Sequence, residues 1–167
     1  MKKDGQHAFN GPDNAGPMQH DLIMLAISNL RYNEPVIECA LQMAVNFKRM
    51  LILFVNDRDF TNCYLGSYGW FASEGLQMSD KKDLEEHEKK NQEKIAAIIK
   101  KADLRGIETD IKNSQGDFAL RVLEAVDEQH PDVVVTTRRW KYKWQRILFG
   151  SCVDKIIKHA NCRVVEV

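Results

Sequence analysis

Between Thr136 and Cys152 the chain reads TTRRWKYKWQRILFGSC, where arginines, lysines and aromatic rings mingle ahead of a Gly-Ser pair. Guanidinium groups such as those of Arg138 and Arg139 bind phosphate bidentately. The amides of Ser151, Cys152 and Val153, at the start of a helix opened by Gly150, can receive an anion. Trp140, Tyr142 and Trp144 could stack on bases. Each feature also has a purely structural explanation. Gly150-Ser151 makes a loop end and a helix cap without any ligand, the rings can pack against a helix or a second subunit, and the cations can simply be solvated. Cys152 sits beside the positive helix end, but no paired base accompanies it. No nucleic-acid-binding module surrounds the run, so a specific nucleic-acid role is not expected.

The rest of the chain limits the ligand classes. It has 167 residues, with 24 Lys and Arg against 24 Asp and Glu, so any attraction for an anionic partner must be local. No apolar stretch has the length of a membrane span, and the start, MKKDGQHAFNGPDNAGPMQH, lacks the apolar segment of a secretory signal. The expectation is a cytoplasmic protein with no membrane insertion. Cys39, Cys63, Cys152 and Cys162 show no CxxC spacing, which favours reduced thiols over a disulfide framework or a zinc site. No nucleophile, base and orienting acid form a catalytic set.

The elements that must position these residues alternate in type. Residues 1–20, rich in Gly, Pro, Asn and Asp, read as a flexible arm, and the domain is expected over 21–167. LIMLAI and MLILFV are short, wholly apolar runs of the kind that form strands covered on both faces. Between them, Val36, Ile37, Ala40, Leu41, Ala44 and Val45 recur at helical spacing, with Asn33 as cap and Pro35 in the first turn. An irregular insertion at 57–79 follows, then a charged helix from about Asp80 to Ala102 whose apolar residues collect near its end. Alternation through Ile107, Thr109 and Ile111 predicts a strand. A Gly116-Asp117 turn then leads into an amphipathic helix. PDVVVT predicts another strand, SCVDKIIKHA the last helix and CRVVEV the last strand. Right-handed crossovers would arrange these as an α/β domain, an open five-stranded parallel sheet with helices on both faces. Ligands in such sheets occupy the crevice beyond the carboxyl ends of the strands, here the loops after Ile27, Val55 and Thr136.

The order and spacing of these strings resemble the universal stress protein family. DVVVTTRRWKYKWQRILFGSCVDKIIKHANCRVVEV is similar to that family's last strand, nucleotide loop, helix and terminal strand. IMLAISN with EPVIECALQMA resembles its first strand and helix, LILFVN its second strand, and QGDFALRVLEAVDEQHPDVVV its glycine-opened helix and following strand. The resemblance implies an adenine nucleotide alpha hydrolase-like architecture and a homodimer through the terminal strand, 162–167. ATP-binding members of the family carry an aspartate after the first strand and a loop written glycine, two residues, glycine, nine residues, glycine, then serine or threonine. Counting back from Gly150-Ser151 puts the two earlier glycines at Thr137 and Trp140, and the aspartate at Ser28. All three differ here, while the aliphatic adenine contact is kept as Val55. Glycine allows close backbone approach and positive φ, whereas threonine is β-branched and tryptophan bulky, so Trp140 either fills or frames the cavity.

Three functions follow from these observations. The main expectation is a cytoplasmic stress-response accessory, a homodimeric binding or sensor module without the usual ATP site. The alternative is an unconventional adenine-nucleotide-binding protein that uses Arg138, Arg139 and the helix start at Ser151, with slow ATPase activity. The third is a regulatory partner of a transporter or other protein, engaged through 57–79.

Overall fold

The computed structural model describes residues 21–29, 31–57, 77–138 and 152–167. The 1–20 arm, most of the insertion and the loop from Arg139 to Ser151 lie outside the described residues. The elements run β1 (Leu22–Ser28), α1 (Glu34–Phe47), β2 (Arg49–Asp57), α2 (Gln77–Asp103), β3 (Glu108–Gly116), α3 (Phe118–Gln129), β4 (Val133–Thr136), α4 (Cys152–His159) and β5 (Arg163–Glu166). They form one five-stranded sheet in the order β3-β2-β1-β4-β5, and all four pairings are parallel. This is the α/β architecture expected from the alternating pattern. Of the insertion anticipated at 57–79, only its ends are described: Asp57 is the last residue of β2, and Gln77 is the first of α2.

Strand periodicity divides the core into two layers. Ile23, Leu25 and Ile27 of β1, with Ile52, Phe54, Val133 and Val135, face α1 and the end of α2, where Ile95, Ile98 and Ala102 close the layer. Met24 and Ala26, with Leu51, Leu53, Val55 and Val134, face Phe118, Ala119, Val122, Ala125 and Val126 of α3 and Ile156 of α4. The apolar runs in β1 and β2 have no polar alternation because both of their faces are covered. Val45, assigned to the buried stripe of α1, is 38% exposed, and Ile111 of the edge strand β3 is 47% exposed. Both lie where cover by a neighbouring element runs out.

Local signals set the element ends. The Asn33 side chain accepts the Val36 amide at 2.9 Å, and Pro35 occupies the first turn of α1. Asp117 caps α3 through the Leu120 amide at 2.9 Å. Gly116 before it has φ 134°, a conformation open to glycine, and a Cβ there would stand 3.1 Å from the Arg121 side chain. His130 ends α3 in the left-handed region at φ 47°. On the outer face of α1, Arg105 makes two hydrogen bonds to the Glu38 carboxylate, at 2.8 and 3.0 Å, which hold its pKa below the usual carboxylate range. Cys39, Cys152 and Cys162 are free thiols. Burial, then the nearby Asp132 carboxylate, pushes the Cys162 thiol up.

Leu25 is 0% exposed at the centre of the sheet, whereas Leu104 is 81% exposed. Leu25→Ala should therefore cost about 2–5 kcal/mol through lost transfer energy and a cavity, while Leu104→Ala should stay within about 0.5 kcal/mol. Urea unfolding followed by circular dichroism checks both; equal midpoints for the two variants would contradict this layering.

Candidate functional site

The sheet changes direction of growth between β1 and β4, and the crevice opens at their carboxyl ends. Ser28 is fully buried there and lies in register with Val55 of β2, so two of the candidate positions are neighbours. Thr136 seals the adjoining strand by donating its hydroxyl to the Ala26 carbonyl at 3.0 Å. Thr137 is 4% exposed. Its Oγ1 accepts from Asn33 Nδ2 at 3.0 Å and donates to the Val167 carbonyl at 2.7 Å. One hydroxyl thus joins the cap of α1, the exit of β4 and the end of β5. A glycine at this position would have no such group, so the departure from the family loop is structural as well as steric.

Arg138 follows and meets two of this chain's own carboxylates. Its Nη2 lies 2.7 Å from Glu166 Oε2 and 2.8 Å from Asp154 Oδ1, and its Nε also donates to Glu166. The hydrogen bonds to Glu166 first, then to Asp154, hold the guanidinium protonated even more firmly than usual. Asp154, in the first turn of α4, thus faces the end of β4. Arg139, Trp140, Gly150 and Ser151 lie outside the described residues, so of the anticipated helix start only Cys152 and Val153 are placed, as the first two residues of α4.

The sequence gives no prominence to Arg31, the residue that fills this corner. The chain turns sharply after β1, and Ser28 and Arg31 exchange two backbone hydrogen bonds of 3.1 Å each. From there Arg31 and Tyr32 point to opposite sides of the sheet end. The Arg31 guanidinium stands 4.4 Å above the centroid of the Phe118 ring, and its Nη2 lies 2.7 Å from Cys152 Sγ. The residue is only 2% exposed. Tyr32 packs against the α1–α2 layer, under Lys94 at 4.8 Å from its ring centroid. Its hydroxyl pKa is raised, first by burial and then by Glu34. A single arginine in a polar loop carries no periodic or motif signal, and its burial depends on Phe118, almost ninety residues onward.

Among the described residues no group of His, Cys, Asp and Glu could hold a metal ion. No described helix is long and apolar enough to cross a membrane. Among the described residues the arrangement offers hydrogen-bond donors, the buried guanidinium of Arg31 and the aromatic face of Phe118.

Known structures share this architecture. The hypothetical protein MJ0577 aligns at a TM-score of 0.62 and 17% identity, over 89% of this chain and 96% of that one. The universal stress protein UspA of Lactobacillus plantarum aligns at 0.59 and 14% identity, over 89% and 98% of the two chains. A universal stress protein family protein of Arabidopsis thaliana, solved with AMP bound, aligns at 0.55 and 16% identity, over 87% and 90%. At such identities the likeness concerns the fold alone. No curated protein matches the sequence. The family model described as the universal stress protein family, however, matches residues 22–167. With nearly the whole described domain inside that match, the chain belongs to the universal stress protein family.

Proposed function

We propose that this chain is a cytoplasmic stress-response accessory that acts as a homodimeric binding or sensor module and does not hold ATP in the manner of the family's nucleotide-binding branch. The observation that carries this reading is the engagement of Arg138. The first arginine of the basic loop is bridged by Glu166 and Asp154, so a phosphate would have to displace two charge-assisted contacts to reach it. The loop positions at Thr137 and Ser28 add to this, since neither offers the glycine or the aspartate of the ATP-binding pattern.

The second reading is an unconventional adenine-nucleotide site, with slow ATPase activity, built from Arg138, Arg139 and the helix start at Ser151. It draws support from the AMP bound by the Arabidopsis relative. Saturation binding with ATP, ADP, AMP and a cyclic dinucleotide separates the two. The first reading predicts no saturation by ATP in the micromolar range. Micromolar ATP binding that disappears when Arg138 and Arg139 are both changed to Ala would replace it with the second.

The dimer is proposed through β5, an edge of the sheet. The Arg163 and Val167 amides point inward, to the Asp132 and Thr136 carbonyls at 3.2 and 3.0 Å. Alternation then turns the Val164 and Glu166 amides outward, where a second copy's strand can pair. Val164→Pro removes one outward donor and leaves the inner ladder intact, a change that edge strands tolerate. Sedimentation velocity should show the mass falling from dimer to monomer with an unaltered circular dichroism spectrum; a retained dimer mass would place the interface elsewhere.

A further inference from the structure

The corner of the crevice between β1, α3 and α4 is already occupied by the chain itself. Three separate contacts seat Arg31 there. Its backbone is locked to Ser28 by the paired 3.1 Å bonds, its guanidinium lies 4.4 Å over Phe118, and its Nη2 reaches Cys152 Sγ at 2.7 Å. Phe118 is 1% exposed and Val55 is fully buried, so apolar side chains form part of the wall of this corner. A guanidinium is flat and weakly hydrated, and it stacks on aromatic faces as a planar heterocycle does. The face of Phe118 that carries Arg31 is therefore also one on which a planar base could stack, and one ring face cannot hold both at van der Waals contact.

We propose that Arg31 is a specificity-determining residue of this crevice, an internal occupant that keeps a nucleobase off Phe118. The proposal rests on the reading that the crevice does not hold ATP in the usual manner, and it adds a cause other than the altered loop. The crevice is closed by occupation and is not merely poor in phosphate ligands. The ligand class it excludes is a purine nucleoside or nucleotide, recognised by its flat face. The Arg31 backbone is held on one side by Ser28, and the next residue, Tyr32, is anchored on the other by the α1–α2 layer. The loop thus keeps the guanidinium in place without a ligand.

Equilibrium dialysis with labelled AMP and labelled adenosine tests this, using the full chain and the variants Arg31→Ala and Arg31→Gln. The native chain should show no saturation at micromolar ligand. Arg31→Ala should bind both ligands at least tenfold more tightly than the native chain, and Arg31→Gln should fall between them. A gain for AMP without one for adenosine overturns the proposal, because the effect then concerns phosphate and not the base. No gain in variants that melt cooperatively overturns it while leaving the reading of the native chain intact. Micromolar AMP binding by the native chain that weakens in Arg31→Ala overturns both, making Arg31 a ligand-binding group. Should neither variant melt cooperatively, NMR of the native chain decides. The Arg31 Nε proton should carry an upfield ring-current shift that is lost in Phe118→Leu and unmoved by millimolar AMP; a resonance at the random-coil position, or one moved by AMP, overturns the proposal.

Discussion

Every feature at the carboxyl edge of this sheet depends on the burial of β1 on both faces. Ile23 through Ile27 are fully buried, and a strand in that position has no solvent-facing side to bear a polar group until it leaves the sheet. The first polar residue, Ser28, therefore falls at the rim, directly beside Val55. The chain must turn at once to place Asn33 as the cap of α1, and the paired hydrogen bonds between Ser28 and Arg31 make that turn. An extended residue pair at the end of a two-layered sheet sends one side chain to each layer. Arg31 and Tyr32 obey that rule, and the crevice acquires its buried cation from it.

A buried guanidinium would be costly if it faced only aliphatic walls, because desolvation of a charge outweighs ordinary packing gains. The ring of Phe118 changes this, since an aromatic face attracts a desolvated cation by about 2 kcal/mol, and the backbone clamp lowers the entropy cost of holding it there. Arg138 follows a different logic. Its side chain remains partly exposed and meets two carboxylates from different elements, Asp154 of α4 and Glu166 of β5. Such a pair of contacts has more geometric than energetic value, because partly solvated ion pairs contribute little individually. What it fixes is the position of Arg138 just after β4, against α4 and β5.

The layered fold was legible in the sequence because its signals are local. Unbroken apolar runs marked β1, β2 and β4, Asn33 and Asp117 marked helix starts, and the helical spacing of Val36, Ile37, Ala40 and Leu41 marked a buried face. The exposure of Ile111 was not legible, for a physical reason. Alternation identifies the face of a strand but says nothing of whether a helix extends over it, and at the edge strand β3 cover is incomplete. The site was less legible. Ser28, Val55 and Thr137 could be located through the family resemblance, but the partners that surround them come from distant elements. Asn33 meets Thr137 across 104 positions, and Arg31 meets Cys152 across 121. No local pattern encodes such pairs.

The crevice and the sheet edge are mechanically one unit. Thr137 hydrogen-bonds to Val167, Arg138 to Glu166, and the Val167 amide to the Thr136 carbonyl at 3.0 Å. Anything that draws the loop after β4 toward a ligand must pull on the end of β5, and anything that pairs with the outer edge of β5 holds that end still. If a second copy pairs with that edge as proposed, linkage of this kind would be reciprocal: a partner that stiffens Glu166 and Val167 would alter occupancy of the crevice by the same free energy with which an occupant would alter assembly. The Thr137 hydroxyl carries this coupling further, to the cap of α1 through Asn33. Replacing a family glycine by threonine has a consequence beyond the loss of backbone freedom, for it adds the one hydroxyl that ties three elements together at the mouth of the crevice.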